Sequence, residues 1–183
     1  MNKMALDKQL YVDEIILCLK LAVDNFYDKD KYLVEIEPSS VSQELYDQYA
    51  NKEGKKKYVG ERAAEFRIAY YLQNIVLQYS ELKEFVVDCE YNNNGFTAKR
   101  VGDRNAFPDI IVHKRGHNDH NLLVVELKTY WNKNNNDDIK KLKYLTDQRR
   151  PYKYAVGISL VLEKTKNECK MIIVKDGEIQ DSI

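Results

Sequence analysis

Two apolar runs that each carry charge constrain the chain most: Phe107-Pro-Asp-Ile-Ile-Val-His113 and Leu122-Leu-Val-Val-Glu-Leu-Lys128. Each is rich in Ile and Val and bounded by turn-forming residues, so each reads as a short β-strand. Gly116, Asn118, Asp119, His120 and Asn121 lie between them, which makes the pair a hairpin. Glu126 and Lys128 stand two apart and so share one face of their strand. Asp109 opens the neighbouring strand. Two carboxylates and an ammonium then converge at one end of a small sheet. Unpaired buried charge is costly, so three charged groups in apolar strands require a reason. One reason is a hard cation: Mg²⁺ takes oxygen ligands and is held by one or two carboxylates together with water and substrate phosphates. The other is an ordinary salt bridge from Lys128 to Asp109 or Glu126 on a solvated sheet face. The hairpin alone does not choose between them.

The segment from Tyr58 to Tyr79 is the strongest helical pattern, with Ile68, Leu72, Ile75 and Tyr79 on one face. Extended backwards, that stripe takes in Glu65 and Glu61. Acids in a first turn complement the helix dipole, which accounts for Glu61 better than for Glu65. The alternative is that one of the two reaches the Asp109–Glu126 cluster. Arg67, one turn on, is placed to pair with an acid or to contact phosphate. Beyond the hairpin, Asp137 or Asp138 can cap a helix from Ile139 to about Gln148. The stretch from Ile139 to Lys153 sets Lys140, Lys141, Lys143, Arg149, Arg150 and Lys153 against the single acid Asp147. Positive charge directly after Lys128 suits nucleic-acid phosphates, although a solvated helix face also accounts for it. His113, Lys114 and Arg115 are either phosphate contacts or a solvated turn. Trp131 covers the core or stacks on a base.

The rest of the chain fills out an α/β pattern. Leu6 to Tyr27 reads as a helix with two apolar stripes, one through Val12, Ile16, Leu19, Val23 and Phe26 and one through Leu6, Leu10, Leu17 and Leu21. Such a helix is expected to be touched on more than one side. A short strand is expected over Lys31 to Ile36, a helix over Val41 to Ala50, and a lysine-rich loop over Asn51 to Lys57. Glu84 to Tyr91 reads as a strand, with Asp88 and Glu90 alternating with apolar residues on its solvent side, or with Glu90 as an acid supporting the carboxylate cluster. Phe96 to Arg104 reads as a loop or edge strand. Further strands are expected over Tyr154 to Leu162 and Cys169 to Val174, then a turn and a short tail. No repeats or low-complexity linkers appear, so residues 1–183 form one domain, with a helical extension over 1–57 and the core over 58–183. The 183 residues are 44% hydrophobic and 32% charged, enough for a soluble folded core. Net charge is zero, so a whole-protein pull on nucleic acid is absent and any such contact is a local patch. Cys18, Cys89 and Cys169 are widely spaced and odd in number, which suits reduced thiols in a cytoplasmic protein. No run matches a membrane helix or a signal sequence.

Pro108-Asp109 followed by Glu126-Leu127-Lys128 resembles the signature of the PD-(D/E)xK nuclease superfamily, the restriction-endonuclease-like fold. Val87-Asp-Cys-Glu-Tyr-Asn92, with the two strands above and Glu61-Arg-Ala-Ala-Glu-Phe-Arg67, is similar to small, uncharacterised bacterial members. The resemblance spans roughly residues 58 to 162. It implies a mixed central sheet flanked by helices with an αβββαβ core. It also implies Mg²⁺- or Mn²⁺-dependent hydrolysis of phosphodiesters, DNA favoured, with a possible role in defence or repair. Asp109 and Glu126 would then hold the metal, and Lys128 would orient or activate the attacking water. Glu61, ahead of Glu65, would complete the acid cluster, while Lys140, Lys141, Lys143, Arg149 and Arg150 would meet nucleic acid. The alternative is a catalytically inactive module of the same fold that binds nucleic acid or a protein partner. A homodimer or a subunit of a larger assembly is compatible with the neutral net charge.

Overall fold

The structure, a computed structural model, describes residues 3–34, 44, 60–94, 97–116, 118–132 and 134–182. Helix α1 spans Lys3–Asp30 and α2 spans Glu61–Val76. Strand β1 (Val86–Cys89) is followed by two small ribbons, β2 (Asn93–Asn94) with β3 (Thr97–Ala98), and β4 (Arg100–Val101) with β5 (Arg104–Asn105). Then come β6 (Ile110–His113), β7 (Asn121–Thr129), helix α3 (Asn136–Thr146), β8 (Val156–Leu162), β9 (Lys170–Lys175) and β10 (Glu178–Ser182). The chain is therefore a mixed α/β protein. Its main sheet has the order β1-β6-β7-β8-β9-β10, and only β7 and β8 run parallel. A parallel pair needs a crossover, and α3 supplies it.

Helices α1 and α2 pack against each other and cover one face of the sheet, while α3 covers the other. Both faces of the central strands are thus buried, and such strands read as near-continuous apolar runs. Leu122, Leu123, Val124, Val125 and Leu127 of β7 and all of β8 are buried accordingly. Under α1 and α2 the core gathers Ile15, Leu19, Phe26, Ile68 and Leu72 with Ile110, Val112, Leu123, Val125, Ile158 and Leu160. Under α3 a smaller core holds Ile111, Val124, Leu142, Leu145, Tyr152, Tyr154 and Val174.

Among the described residues the two apolar stripes of α1 differ in burial. Val12, Leu19, Val23 and Phe26 are buried, whereas Leu17 and Leu21 are exposed. The strand expected over Lys31 to Ile36 is corrected for its first three residues, because Lys31–Leu33 form a 3₁₀ turn. The chain there continues out of α1 and tightens, with the Val34 N–H donating to the Lys31 carbonyl at 2.9 Å. Residues 35 and 36, the helix expected over Val41 to Ala50, apart from Glu44, and the loop of Asn51 to Lys57 lie outside the described residues. The expected short tail is instead strand β10, turned back on β9 by Asp176 and Gly177. Their φ values of +47° and +78° suit a two-residue type I′ hairpin. Among the described residues no helix is long and apolar enough to cross a membrane.

Gly157 fixes how closely α3 approaches the sheet. A Cβ there would lie 3.0 Å from Thr146 Cγ2 and 3.2 Å from Leu142 Cδ2. Gly157→Ala should therefore destabilise the protein by about 1–3 kcal/mol. This would be read as a lower denaturant midpoint at unchanged slope; an unshifted midpoint would mean that α3 is free to retreat.

Candidate active site

The β6–β7 register pairs Ile110 with Val125. Continued by one residue, it sets Asp109 opposite Glu126, and the β7–β8 register sets Glu126 opposite Ser159. Glu126 and Lys128 share the β7 face of Val124, the face that α3 covers. The β6–β7 register, which shifts by one between Val112 and His113, thus sets the two carboxylates side by side.

Asp109 is tied down by an accepted hydrogen bond, from the Leu127 N–H to Oδ2 at 2.6 Å. Burial pushes its carboxyl above the usual range, and the Leu127 N–H, Lys141 and Lys128 only partly oppose this. Glu126 is 1% exposed. Burial first, and then the charge of Asp109, hold its carboxyl well above the ordinary value. One oxygen, Oε2, pairs with Lys141 Nζ. The other, Oε1, is buried with no hydrogen-bond partner. An orphaned buried carboxylate oxygen is costly.

Lys128 does not pair with Asp109 or Glu126, as a simple salt bridge would require. Its Nζ lies 3.5 Å from Asp138 Oδ2 and 3.9 Å from Glu61 Oε2. Burial opposes its charge, but Asp138 and Glu61 outweigh burial and raise its pKa. Lys128 is therefore an ammonium at neutral pH. It can orient an oxygen ligand or offset negative charge, and it is a poor general base.

The two acids of α2 divide their tasks. Glu61 Oε1 accepts from the Thr129 N–H at 3.2 Å, the Thr129 hydroxyl at 2.9 Å and the Asn132 amide at 3.3 Å. It fastens the start of α2 to the end of β7 beside Lys128. Glu65 is 6% exposed. Burial, then the charges of Asp109 and Glu90, push its carboxyl up to about 7 against a hydrogen bond from Cys89 and the charge of Arg62. Of the two, Glu61 meets the lysine and Glu65 feels Asp109.

Asp138 is not the cap of α3. Asn135 holds that position without a side-chain cap bond, and its amide donates to Ser159 Oγ at 3.1 Å. Asp138 lies in the first turn and turns to Lys128 because α3 lies directly over β7 and β8. Neither it nor the facing of Lys141 onto Glu126 was assigned from sequence. The available signal was their spacing, since Asp138, Lys141, Leu142 and Leu145 repeat at helical intervals and share the sheet-facing side.

Every expected nucleic-acid contact has an acidic partner within the chain. Lys140 pairs with Asp137 at 3.0 Å, Lys143 with Glu178 at 3.2 Å, and Arg149 and Arg150 with Asp147 at 2.9 and 3.7 Å. The Lys140–Asp137 and Lys143–Glu178 pairs are solvent-exposed, and exposed pairs contribute only about 0–1 kcal/mol, so a polyanion can compete for these two lysines. Arg149 and Arg150 are exposed, but the Asp147 they share is buried. Lys141 differs in having the buried Glu126 as partner. His113, Lys114 and Arg115 are also occupied, His113 and Arg115 by Asp88 and Lys114 by Glu84. Asp88 is accordingly half-buried rather than solvated. Arg67 pairs with Asp30 at 2.7 Å, and Trp131 packs against the larger core.

Among the described residues no three Asp, Glu, His or Cys side chains stand together as a ready ligand set for a metal ion. Asp109 and Glu126 nonetheless fit a hard divalent cation of the Mg²⁺ type. Both present carboxylate oxygen, and Glu126 Oε1 has no other partner. Water, backbone and substrate oxygens ordinarily complete such a site. No protein-family model, curated protein or solved structure matches the chain.

Proposed function

We propose that this chain is a metal-dependent nuclease acting on DNA. The observation that carries the reading is the Asp109–Glu126 pair, set by strand register, with an orphaned carboxylate oxygen on Glu126 and the Lys128 ammonium two residues on. The element order supports it. Helix α2, the antiparallel strands β1, β6 and β7, the crossover helix α3 and the parallel strand β8 follow the αβββαβ order that the motif resemblance implies.

In this reading Asp109 and Glu126 hold Mg²⁺ or Mn²⁺, which when bound lowers the pKa of an attacking water and stabilises charge on the phosphoryl oxygens. Two raised carboxyls side by side favour a cation, because a divalent charge removes their mutual repulsion. Lys128, kept charged by Asp138 and Glu61, orients the water or the scissile phosphate. Glu61 holds the lysine in place through Thr129 and Asn132. Lys140 and Lys143 exchange their exposed carboxylate partners for backbone phosphates, the exposed guanidinium groups of Arg149 and Arg150 add to the same patch, and binding there weakens with salt.

The test is cleavage of supercoiled plasmid, linear duplex and single strands in Mg²⁺, Mn²⁺ or EDTA. Cutting with either cation and none in EDTA is expected, and product sizes separate internal from terminal attack. A second reading has its own observation. Helix α3 sets Lys141 on Glu126 and Asp138 on Lys128, so the charges on β7 are already matched within the chain. A module of this fold that binds nucleic acid or a partner without cutting would have such a closed arrangement. It would retain duplex under every cation and cleave none.

A further inference from the structure

The surroundings of Lys141 are those of a cation site. Its ammonium pairs with Glu126 Oε2 and donates to the Phe107 carbonyl at 3.2 Å, and Asp109, two residues beyond Phe107, adds its charge nearby. Carboxylate and carbonyl oxygens are also what a hard divalent cation takes as ligands. The Lys141 side chain is 22% exposed and the Glu126 side chain 2%, so the pair lies at the rim of the sheet's α3 face with a way out to solvent. Glu126 Oε1, on the same carboxylate, has no partner while the lysine is in place. One monovalent ammonium thus satisfies half of the buried carboxylate. One turn back on α3, Asp138 faces Lys128, so the first turns of the helix carry the charge complement of β7.

We infer that Lys141 is an internal counter-ion standing in the place of the divalent cation, and that the cation binds by displacing it. This rests on the reading of Asp109 and Glu126 as the cation site. A divalent ion can reach both oxygens of Glu126 and the Asp109 carboxylate, which one ammonium does not. The released ammonium stays on α3 at the edge of the site, where Lys140 and Lys143 flank it in sequence. Metal affinity is set low by the pair that must first be broken, and α3 is held against β7 until it is.

The experiment is titration of the full chain with Mn²⁺ alone by calorimetry, with melting temperature measured in parallel. Lys141→Gln keeps a donor for Glu126 and Phe107 without the charge; Lys141→Met removes both, and Lys141→Arg keeps the charge. Breaking a buried ion pair costs several kcal/mol, so the Gln and Met variants should bind Mn²⁺ at least about tenfold more tightly than the parent. They should also show a larger rise in melting temperature on adding Mn²⁺, and the Arg variant should bind no more tightly than the parent. Asp109→Asn added to Lys141→Gln should abolish the gain. If the parent binds Mn²⁺ and the Gln and Met variants bind it equally or more weakly, the displacement is wrong and the cation site stands. A gain that survives Asp109→Asn also overturns it, since the cation then lies elsewhere. Absence of binding in the parent and all variants overturns both the displacement and the cation site beneath it.

Discussion

Asp109→Asn should raise the melting temperature of the metal-free protein while removing its response to Mg²⁺ and Mn²⁺. The two effects have one cause. Asp109 is a partly buried carboxyl whose charge also presses on Glu126 and Glu65. Asparagine keeps an oxygen for the Leu127 N–H that Asp109 now satisfies, so the local fold loses no hydrogen bond. Relief of the repulsion is expected to contribute about 1 kcal/mol, or roughly 2–4 °C. The same change deletes one of two carboxylate ligands, so cleavage should fall by about a hundred- to a thousandfold. Calorimetric melting with and without Mn²⁺ reads the first effect and product formation the second. A variant that still rises in melting temperature with Mn²⁺ as the parent does would remove Asp109 from the cation site.

Glu65 should leave a mark on stability as a function of pH. Its folded pKa, about 7, lies above its ordinary value. The stability associated with its protonated form is therefore fully present below pH 4.5 and lost as pH rises to about 7. For a group this buried the loss is on the order of 3 kcal/mol. Glu65→Gln should abolish it, so parent and variant diverge across pH 4.5 to 7 with the variant the more stable at neutral pH. His113 acts in the opposite sense. Burial lowers its pKa against the pull of Asp88, so its contribution falls as pH drops below 6.5. Asp88 is pushed up by burial, but Arg115 and His113 outweigh this and hold it low, which confines its loss to more acid pH. These slopes are common to both proteins, and the difference between parent and variant isolates Glu65. Parallel profiles from pH 4.5 to 7 would mean that Glu65 is solvated.

The sequence was most legible where burial is one-sided or complete over several residues. The apolar runs of β6 and β7 and the period of α2 placed Asp109, Glu126, Lys128, Glu61 and Glu65 on their elements. The register of β6 and β7 is not legible in the hairpin, because the pairing shifts by one between Val112 and His113, and it is that shift which brings Asp109 opposite Glu126. What sequence does not carry is the partner of a charge. Lys141 and Lys143 read as part of a basic run because their acids, Glu126 and Glu178, arrive from β7 and β10, whereas Lys140, Arg149 and Arg150 pair with the nearby Asp137 and Asp147. Asp137 or Asp138 read as a cap because an acid at a helix start ordinarily is one; that Asp138 faces Lys128 depends on how α3 crosses the sheet. Lys99 lies in a stretch read as polar loop or edge strand, yet it is 1% exposed. Its ammonium donates to the Tyr91 and Asn93 carbonyls at 3.2 and 2.8 Å and lies 4.4 Å from the Tyr91 ring centroid. Strand β10 was signalled by Asp176-Gly177, but the residues after that turn carry too little apolar alternation to announce a strand.

The most direct measurement of the nuclease reading is the cleavage rate of Lys128→Ala beside the parent, in Mg²⁺, Mn²⁺ and EDTA, with duplex binding measured on the same samples. Lys128 lies at the site with its ammonium held by Asp138 and Glu61 and no role in the hydrophobic core. The expected result is metal-dependent cutting by the parent, a loss of about a hundred- to a thousandfold in the variant, and duplex affinity unchanged within a few-fold. Cutting that proceeds equally in EDTA, or equally well without Lys128, would contradict it.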